Sequence, residues 1–243
     1  WGNYILKPQS PVYDSTPELE DLTMKLAEAS GIATAPHGLI MMDDGELAYI
    51  TKRMDRGEKG EKYSMLDMCQ LTNRLTEHKY RGAYIQLAET IKKYSSAPML
   101  DVQRFWEIVI FSWLTGNSDM HCKNFSLIEK GYDGYHLSPA YDLLAVKLTG
   151  INDDDELAMP LVGYGTDDNN AIVGFDRCSF IQAMIDSGIT EKISEKIIDK
   201  MISGSHKWND IIDSSFLNDK LKSDYKQITK KSTKVESVKS SKK

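Results

Sequence analysis

The sequence predicts an α+β protein in which a small β-rich N-terminal part precedes a larger, mostly helical part. Three observations support this class. The segment "GNYILKP" alternates like a strand and ends at Pro8, and "LIMMDDGELAYITKRMDR" indicates two strands around the turn pair Asp44-Gly45. From Ser64 onward, apolar residues recur mainly at the 3.6-residue period of helices. A chain of 243 residues can bury one large core or form two lobes.

The N-terminal part should contain one helix between its strands. Tyr4–Lys7 is the first predicted strand, and it places Lys7 at its carboxyl end. Thr16 suits a helix N-cap, Pro17 suits the first helical position, and Gly31 suits the position after the last turn. The predicted helix has an apolar face made of Leu19, Leu22, Leu26 and Ala27.

The C-terminal part should be mostly helical. Ser64 with Asp67 resembles a capping box at the start of its first helix. Two short strands are expected at Phe125–Ile128 and Tyr135–Leu137, and a further hairpin in "LAMPLVGYGTDDNNAI". Helices are predicted at about 64–75, 81–95, 102–115, 176–187, 190–202 and 207–222.

These elements divide the chain into an N-terminal lobe at residues 1–56, a helical lobe at 57–225 and a tail at 226–243. The tail contains seven lysines, one glutamate and no aromatic residue, so it is expected to be mostly disordered. The whole chain has a net charge of −6, so the part before the tail is strongly acidic. Direct binding of nucleic acid by this chain is therefore not expected.

The composition also argues against several classes of protein. Three cysteines, an odd number with no CxxC pair, argue against a disulfide framework and a thiolate zinc site. No apolar run approaches the roughly 20 residues needed to cross a bilayer, and the N-terminus shows no basic-then-apolar signal pattern. We therefore expect a reduced, cytoplasmic protein without a membrane role, and leave open its export into another cell.

The segment "GNSDMHCKNFSL", residues 116–127, holds the strongest functional signal, because four polar groups follow an apolar run directly. A zinc site is a weak hypothesis, since no further His or Cys ligands follow Asp119 and His121 at useful spacing. Cys122 is too close to His121 in sequence for a persuasive nucleophile–base pair. Phosphoryl transfer fits better, because Asp119 and Asn124 have the Asp-x₄-Asn spacing of kinase catalytic loops.

A kinase-type site also needs a strand lysine for the phosphates and a second carboxylate for Mg²⁺. Lys7 ends the first predicted strand, and Glu20 on the next helix could pair with it. Asp142 follows the two short strands, at the place of a metal-binding aspartate. Lys123 could neutralise charge that develops on the transferred group.

Each of these residues also has an ordinary structural explanation. Lys7 could be a solvated lysine at a strand end, and Glu20 an exposed acid favoured by the helix dipole. Asp142 could be a helix N-cap, and His121 a structural hydrogen-bonding group. Only their combination, in this order along a β-then-α chain, favours phosphotransfer.

Five segments together resemble the HipA-like family of bacterial serine/threonine kinases, including its compact HipT-type toxins. They are "YILKP", "LEDLTMKLAEASGI", "DMCQLTNRLTEHKYRGAY", "LTGNSDMHCKNFSL" and "SPAYDLL", and the resemblance covers about residues 1–220. It implies a two-lobed, protein-kinase-like fold with a small β-rich N-lobe and a mostly helical C-lobe. It also implies roles for particular residues: Lys7 at the ATP phosphates with Glu20 beside it, the backbone of Lys52, Arg53 and Met54 at adenine, Asp119 as catalytic base, Asn124 and Asp142 as Mg²⁺ ligands, and His121 and Lys123 in the catalytic loop.

The resemblance further implies partners. Family members are toxins that phosphorylate aminoacyl-tRNA synthetases, and they are restrained by a HipB-like DNA-binding antitoxin or by a small HipS-like N-subdomain protein. Two departures stand out: the six residues before Lys7 include no Gly-rich, Ser-containing phosphate loop, and Lys52 stands where relatives often have an acid. Two other functions stay open, a lipid or small-molecule kinase with a D-x-H-x-x-N loop and a non-catalytic, pseudokinase-like binding module.

Overall fold

A computed structural model describes residues 2–131, 133–151, 154–163 and 174–230. The predicted hairpin at 157–172 lies partly outside these ranges. Its described part, residues 157–163, contains bends and no strand, so the hairpin prediction was wrong for these seven residues.

The N-terminal part is built on a three-stranded antiparallel sheet with the order β1-β3-β2. Its strands are β1 (Tyr4–Lys7), β2 (His37–Met41) and β3 (Leu47–Lys52). Helix α1 (Thr16–Ala29) packs on this sheet, and the residues of its predicted apolar face are all buried. Thr16 is the first helical residue, and Ser15 before it is the N-cap, with no side-chain hydrogen bond.

The first prediction for the C-terminal part, a helix from Ser64, was wrong. Ser64–Asp67 forms β4, which pairs antiparallel with β5 (Ser126–Glu129), and β5 pairs with β6 (Tyr135–Leu137). The capping box is one turn further along the chain than predicted. The Asp67 carboxylate accepts from Gln70 N at 2.8 Å, and Gln70 Oε1 accepts from Asp67 N at 2.9 Å, at the start of the short helix α2 (Met68–Leu71).

The remaining predicted helices are present, with one divided in two. The segment predicted as one helix at 207–222 forms two, because Asn218 caps the second by accepting from Leu221 N at 2.9 Å. That second helix reaches Thr229, so residues 226–229 are helical and not part of a disordered tail; residues 231–243 lie outside the described ranges. The helices are α3 (Tyr84–Tyr94), α4 (Pro98–Thr115), α5 (Arg177–Asp186), α6 (Glu191–Ser205), α7 (Trp208–Asp213) and α8 (Asp219–Thr229).

Helix α4 is the centre of the core and carries the polar loop at its end. Phe105, Trp106 and Phe111 of α4 are fully buried, and the ring centroids of Phe105 and Phe125 lie 4.8 Å apart. The helix ends at Gly116, whose φ of 72° turns the chain out of the helix and into the loop. Within the described residues, no helix is long and apolar enough to span a bilayer.

Helix α1 also connects the N-terminal sheet to the C-terminal helices. Thr23 Oγ1 and Tyr225 Oη share a buried hydrogen bond of 2.8 Å, and Trp208 Nε1 donates to Ser30 Oγ at 3.0 Å. These two hydrogen bonds fix α1 against the C-terminal helices. The opposite side of α1, which faces the sheet, therefore has a defined position relative to the rest of the chain.

Gly116→Ala should destabilise the protein more than Gly150→Ala. Both glycines have φ near 80°, where a side chain costs about 1–2 kcal/mol. A Cβ at Gly116 would also lie 3.1 Å from Ile228 Cγ2, whereas a Cβ at Gly150 would meet no atom within 4 Å. Urea unfolding should therefore show a loss for Gly116→Ala that exceeds the loss for Gly150→Ala by about 1 kcal/mol. Equal losses would show that the contact with Ile228 has no energetic consequence.

Candidate active site

A cleft of about 490 Å³ lies between the two sheets, and most of the predicted site residues line it. This volume is within the usual range for small-molecule sites. Of the predicted residues, the walls contain Lys7, Glu20, Lys52, Arg53, Met54, Lys123 and Asp142. Asp119, His121 and Asn124 are on the adjacent loop and do not line the cleft itself.

Lys7, Glu20 and Asp142 meet at one point in this cleft. The Lys7 ammonium donates to both carboxylate oxygens of Glu20, at 2.8 and 3.0 Å, and also to Asp142 Oδ1. It lies 5.6 Å from the centre of the Tyr49 ring. Burial alone would lower the pKa of Lys7, but the two carboxylates outweigh burial and raise it, so the ammonium stays charged.

Glu20 is a buried acid and not the exposed first-turn residue that the helix dipole alone would explain. Its exposed fraction is 6%. Burial raises the pKa of Glu20 to about 7, against the opposing effect of the Lys7 ammonium. Its charge therefore depends on the presence of Lys7.

Asp142 does not cap a helix. Its φ of 57° is in the left-handed region, and the next helical turn, the 3₁₀ turn Val146–Leu148, has Ala145 at its N-cap. The preceding backbone is fixed, because Ala140 N donates to Ala33 O at 2.8 Å. Tyr141 Oη donates to Lys123 O at 2.8 Å. These contacts direct the Asp142 carboxylate into the cleft.

Asp119 and Asn124, the predicted catalytic-loop residues, are joined by a hydrogen bond. Asn124 Nδ2 donates to the backbone oxygen of Asp119 at 2.9 Å, and Asn117 Oδ1 accepts from Asp119 N at 3.2 Å. Tyr84 Oη donates to Met120 O at 2.8 Å from inside the core. These bonds fix the loop backbone, while the Asp119 side chain keeps an exposed fraction of 44%.

His121 and Lys123 belong to the same loop and have different surroundings. His121 is 5% exposed, and burial lowers its pKa, which the Asp119 carboxylate only partly opposes, so the imidazole is neutral near pH 7. Its Nε2 is 3.9 Å from Asp119 Oδ2. Lys123 Nζ lies 3.5 Å from Thr76 Oγ1 and 4.0 Å from Asp67 Oδ2, at the cleft wall.

The residues predicted to face adenine, here called the hinge, line the cleft at the end of β3: Lys52 is the last residue of the strand, and Arg53 and Met54 follow it. Lys52 N donates to Pro36 O and Arg53 N donates to Asn3 O, both at 2.8 Å. The Arg53 guanidinium binds Asp55 through two hydrogen bonds, at 2.9 and 2.7 Å, and both residues line the cleft. Within the described residues, the backbone N–H of Met54 donates to no protein group.

Two tyrosines of the site were missed by reasoning from the sequence. Tyr141 holds the backbone beside Asp142, and Tyr80 donates a hydrogen bond to Asp119 Oδ1. Tyr141 could have been noticed as the neighbour of a predicted ligand. Tyr80 carries no spacing signal, because it approaches Asp119 from 39 residues earlier in the chain.

The residues present fit a magnesium ion held jointly with a nucleotide. Asn124 uses its Nδ2 to bind the loop backbone, which leaves Oδ1 as its possible ligand atom, and Asp142 supplies a carboxylate. Among the described residues, no three His, Cys, Asp or Glu side chains form a metal centre by themselves. Mg²⁺ is usually bound by one or two protein oxygens together with substrate phosphates, so two oxygen donors are sufficient.

The predicted protein-kinase-like α+β fold class is confirmed, because the chain shares its fold with solved structures of HipA and of the kinase CtkA. The chain belongs to the family described as HipA-like C-terminal domain, whose model matches residues 1–208.

Curated relatives of this chain carry kinase names. A Haemophilus influenzae protein named "Putative kinase" is 25% identical over 236 residues, which is 89% of this chain and 69% of that protein. "Putative kinase Y4dM" of Sinorhizobium fredii is 35% identical over 156 residues, 59% of this chain and 37% of its own length. The chain thus spans little more than a third of Y4dM.

Two solved structures share the fold. HipA of Shewanella oneidensis MR-1, solved with HipB and operator DNA, has a TM-score of 0.78 and 20% identity over 95% of this chain and 57% of its own. The Helicobacter pylori proinflammatory kinase CtkA has a TM-score of 0.66 and 15% identity over 95% of this chain and 86% of its own.

Glu20→Gln should change how stability depends on pH. The unfolded chain ionises Glu20 near pH 4.5, whereas burial raises the pKa in the folded state to about 7. Between these values the folded protein binds more protons than the unfolded chain, so raising the pH lowers its stability. The free energy of unfolding of Glu20→Gln, relative to the original, should therefore rise by about 1–3 kcal/mol from pH 4.5 to pH 8.

Urea unfolding at a series of pH values measures this difference. Glu89→Gln, at a half-exposed glutamate of α3, is the control and should leave the profile unchanged. If Glu20→Gln and the original protein have parallel profiles, Glu20 does not titrate in this range.

Proposed function

We propose that this chain is the catalytic part of an ATP- and Mg²⁺-dependent protein serine/threonine kinase. One observation carries the proposal: the Lys7 ammonium contacts Glu20 and Asp142 in a single cleft, although Asp142 is 135 residues further along the chain. The side chains of Lys7 and Asp142 are 38% and 43% exposed, so this ion network is only partly buried. Exposed ion pairs contribute little to stability, and a ligand with phosphates is therefore the better reason for the arrangement.

Each residue then has a defined task. Lys7 binds the ATP phosphates, and Glu20 holds the ammonium in position for them. Asp119 orients the acceptor hydroxyl and accepts its proton, and Lys123 lowers the energy of charge on the transferred group. Asn124 and Asp142 would hold Mg²⁺, which supplies charge neutralisation between the phosphates when it is bound.

Adenine would bind against the segment after β3. The N–H groups of Lys52 and Arg53 are already used inside the protein, so Met54 is the hinge residue with a backbone donor available for a base. Its side chain also lines the cleft and offers an apolar surface. We assign residues 1–56 to the N-lobe and residues 57–225 to the C-lobe on this basis.

We further propose that the kinase is a bacterial, cytoplasmic toxin whose acceptor is an aminoacyl-tRNA synthetase or another translation component. Family membership supports this, and so does the Shewanella oneidensis HipA structure, which contains HipB and operator DNA. A HipB-like antitoxin, and a small HipS-like protein, would be the restraining partners. Comparing phosphoproteins after expression of the active and the Asp119→Asn chains should identify the acceptor, and a lipid or metabolite acceptor would leave the phosphoproteins equal.

Asp119→Asn should strongly reduce transfer of labelled γ-phosphate from ATP, because the amide cannot take the acceptor proton. A loss of about 10²–10⁴-fold is expected. Lys7→Met should lose activity as well, because it removes the ammonium group that binds the ATP phosphates. Asp43→Asn, at an exposed hairpin position, is the control and should keep full activity. A non-catalytic binding module would instead show no transfer with any of the four proteins, the original included.

Asp142→Asn should remove the stabilisation that ATP provides with Mg²⁺. A ligand at 100 times its dissociation constant stabilises the folded state by about 2.7 kcal/mol. The original protein and Asp43→Asn should therefore show a raised Tm with Mg²⁺ and ATP, and Asp142→Asn should not. A large loss of Tm in Asp142→Asn without nucleotide would indicate that the carboxylate is structural, and would contradict the assigned role.

A further inference from the structure

A nine-residue segment, residues 76–84, lies across the catalytic loop and contacts it at several points, among them Arg81 O, which lies 3.9 Å from Cys122 Sγ. Lys123 Nζ donates to Thr76 Oγ1 at 3.5 Å, and Cys122 N donates to Lys79 O at 3.1 Å. Tyr84 Oη donates to Met120 O at 2.8 Å. A further contact is made by Tyr80, in the middle of the segment.

Tyr80 reaches the carboxylate of Asp119 itself. Its hydroxyl donates to Asp119 Oδ1. The edge of its ring packs against the His121 ring, with the centroids 5.0 Å apart and the planes at 79°. The Lys79 ammonium lies 4.9 Å from the centre of the Tyr80 ring. The hydroxyl is therefore aimed by contacts on two sides of the ring.

Asp119 depends on this bond for the orientation of its side chain. The bonds made by Asn124 and Asn117 end on the backbone of Asp119, so they fix the loop and not the carboxylate. His121 Nε2, at 3.9 Å, is too far away for a hydrogen bond. Within the described ranges, Tyr80 is the one side chain that donates a hydrogen bond to this carboxylate.

A catalytic base must be held within hydrogen-bond reach of the proton it accepts, and a small displacement lowers the rate strongly. A carboxylate that is 44% exposed and has no donor would rotate among several positions. The hydroxyl of Tyr80 engages Oδ1, which leaves Oδ2 for the acceptor.

We propose that Tyr80 is a positioning residue for phosphoryl transfer, which orients Asp119 so that Oδ2 faces the acceptor hydroxyl. This inference rests on the proposed kinase function. In the reaction, the acceptor proton passes to Asp119 Oδ2 and the acceptor oxygen bonds to the γ-phosphorus. The bond from the γ-phosphorus to the oxygen shared with the β-phosphate breaks, and ADP leaves. Tyr80 keeps its own proton throughout.

The role predicts a particular kinetic signature. Tyr80 does not line the nucleotide cleft, so its hydroxyl should not affect the binding of ATP. A single hydrogen bond at a half-exposed tyrosine also contributes little to folding. Its loss should therefore appear in kcat, and not in KM for ATP or in Tm.

Tyr80→Phe tests the proposal, because it removes the hydroxyl and keeps the ring. Tyr94→Phe is a matched control: Tyr94 is 41% exposed against 47% for Tyr80, and the Lys93 ammonium lies 4.9 Å from its ring centre. Within the described residues, no hydrogen bond joins Tyr94 to Asp119, whose side-chain donor is Tyr80. Formation of ADP and of phosphoprotein is measured with dephosphorylated casein as the acceptor. We expect kcat of Tyr80→Phe to fall about tenfold with KM for ATP unchanged, and Tyr94→Phe to match the original.

The Asp119→Asn background separates positioning of the base from any other effect. Tyr80→Phe added to Asp119→Asn should cause no further loss, because the group that it orients no longer acts as a base. Three results would each overturn the proposal. They are a further tenfold loss when Tyr80→Phe is added to Asp119→Asn, a raised KM for ATP in Tyr80→Phe, and a gain in kcat in Tyr80→Phe. If the original protein forms neither ADP nor phosphoprotein, the kinase function fails first and the role of Tyr80 fails with it.

Discussion

The ammonium of Lys7 between the carboxylates of Glu20 and Asp142 is the interaction on which the site depends. A buried carboxylate such as Glu20 is costly to ionise unless a cation lies next to it, and here that cation comes from another element. The strand β1, the helix α1 and the loop before Asp142 must therefore be in place together.

Helix α1 transmits this constraint to the rest of the fold. Glu20 faces the cleft, while the adjacent Asp21 binds His37 of β2 at 3.1 Å and Lys25 at 2.7 Å. Burial opposes ionisation of Asp21, but these two partners outweigh it and lower its pKa. On its far side, the helix is bonded to α8 through Thr23. A helix held on three sides keeps Glu20 within reach of Lys7.

The polar loop that contains Asp119 and Asn124 is held in place for a different reason. It begins where the buried helix α4 ends at Gly116, and its backbone is bonded to its own side chains and to residues 76–84. Its polar atoms are not all satisfied: within the described ranges, Asn117 Nδ2, Ser118 Oγ and His121 Nδ1 are buried without a partner. Unsatisfied buried groups are rare in folded proteins, and they concentrate at sites where sequence serves function before stability.

Much of this protein is determined by its local sequence. The alternation in "YILK" specifies β1, the apolar spacing in α1 specifies which face is buried, and Asp119 and Asn124 are placed on one loop by their separation alone. Contacts between residues that are distant in the sequence determined the features that local periodicity cannot predict. Ser64–Asp67 is a strand because β5 offers it a partner, Glu20 is buried because Lys7 lies beside it, and Tyr80 meets Asp119 because the chain returns. The reason is physical: periodicity records which face of an element is apolar, whereas contacts between distant residues depend on the path of the whole chain.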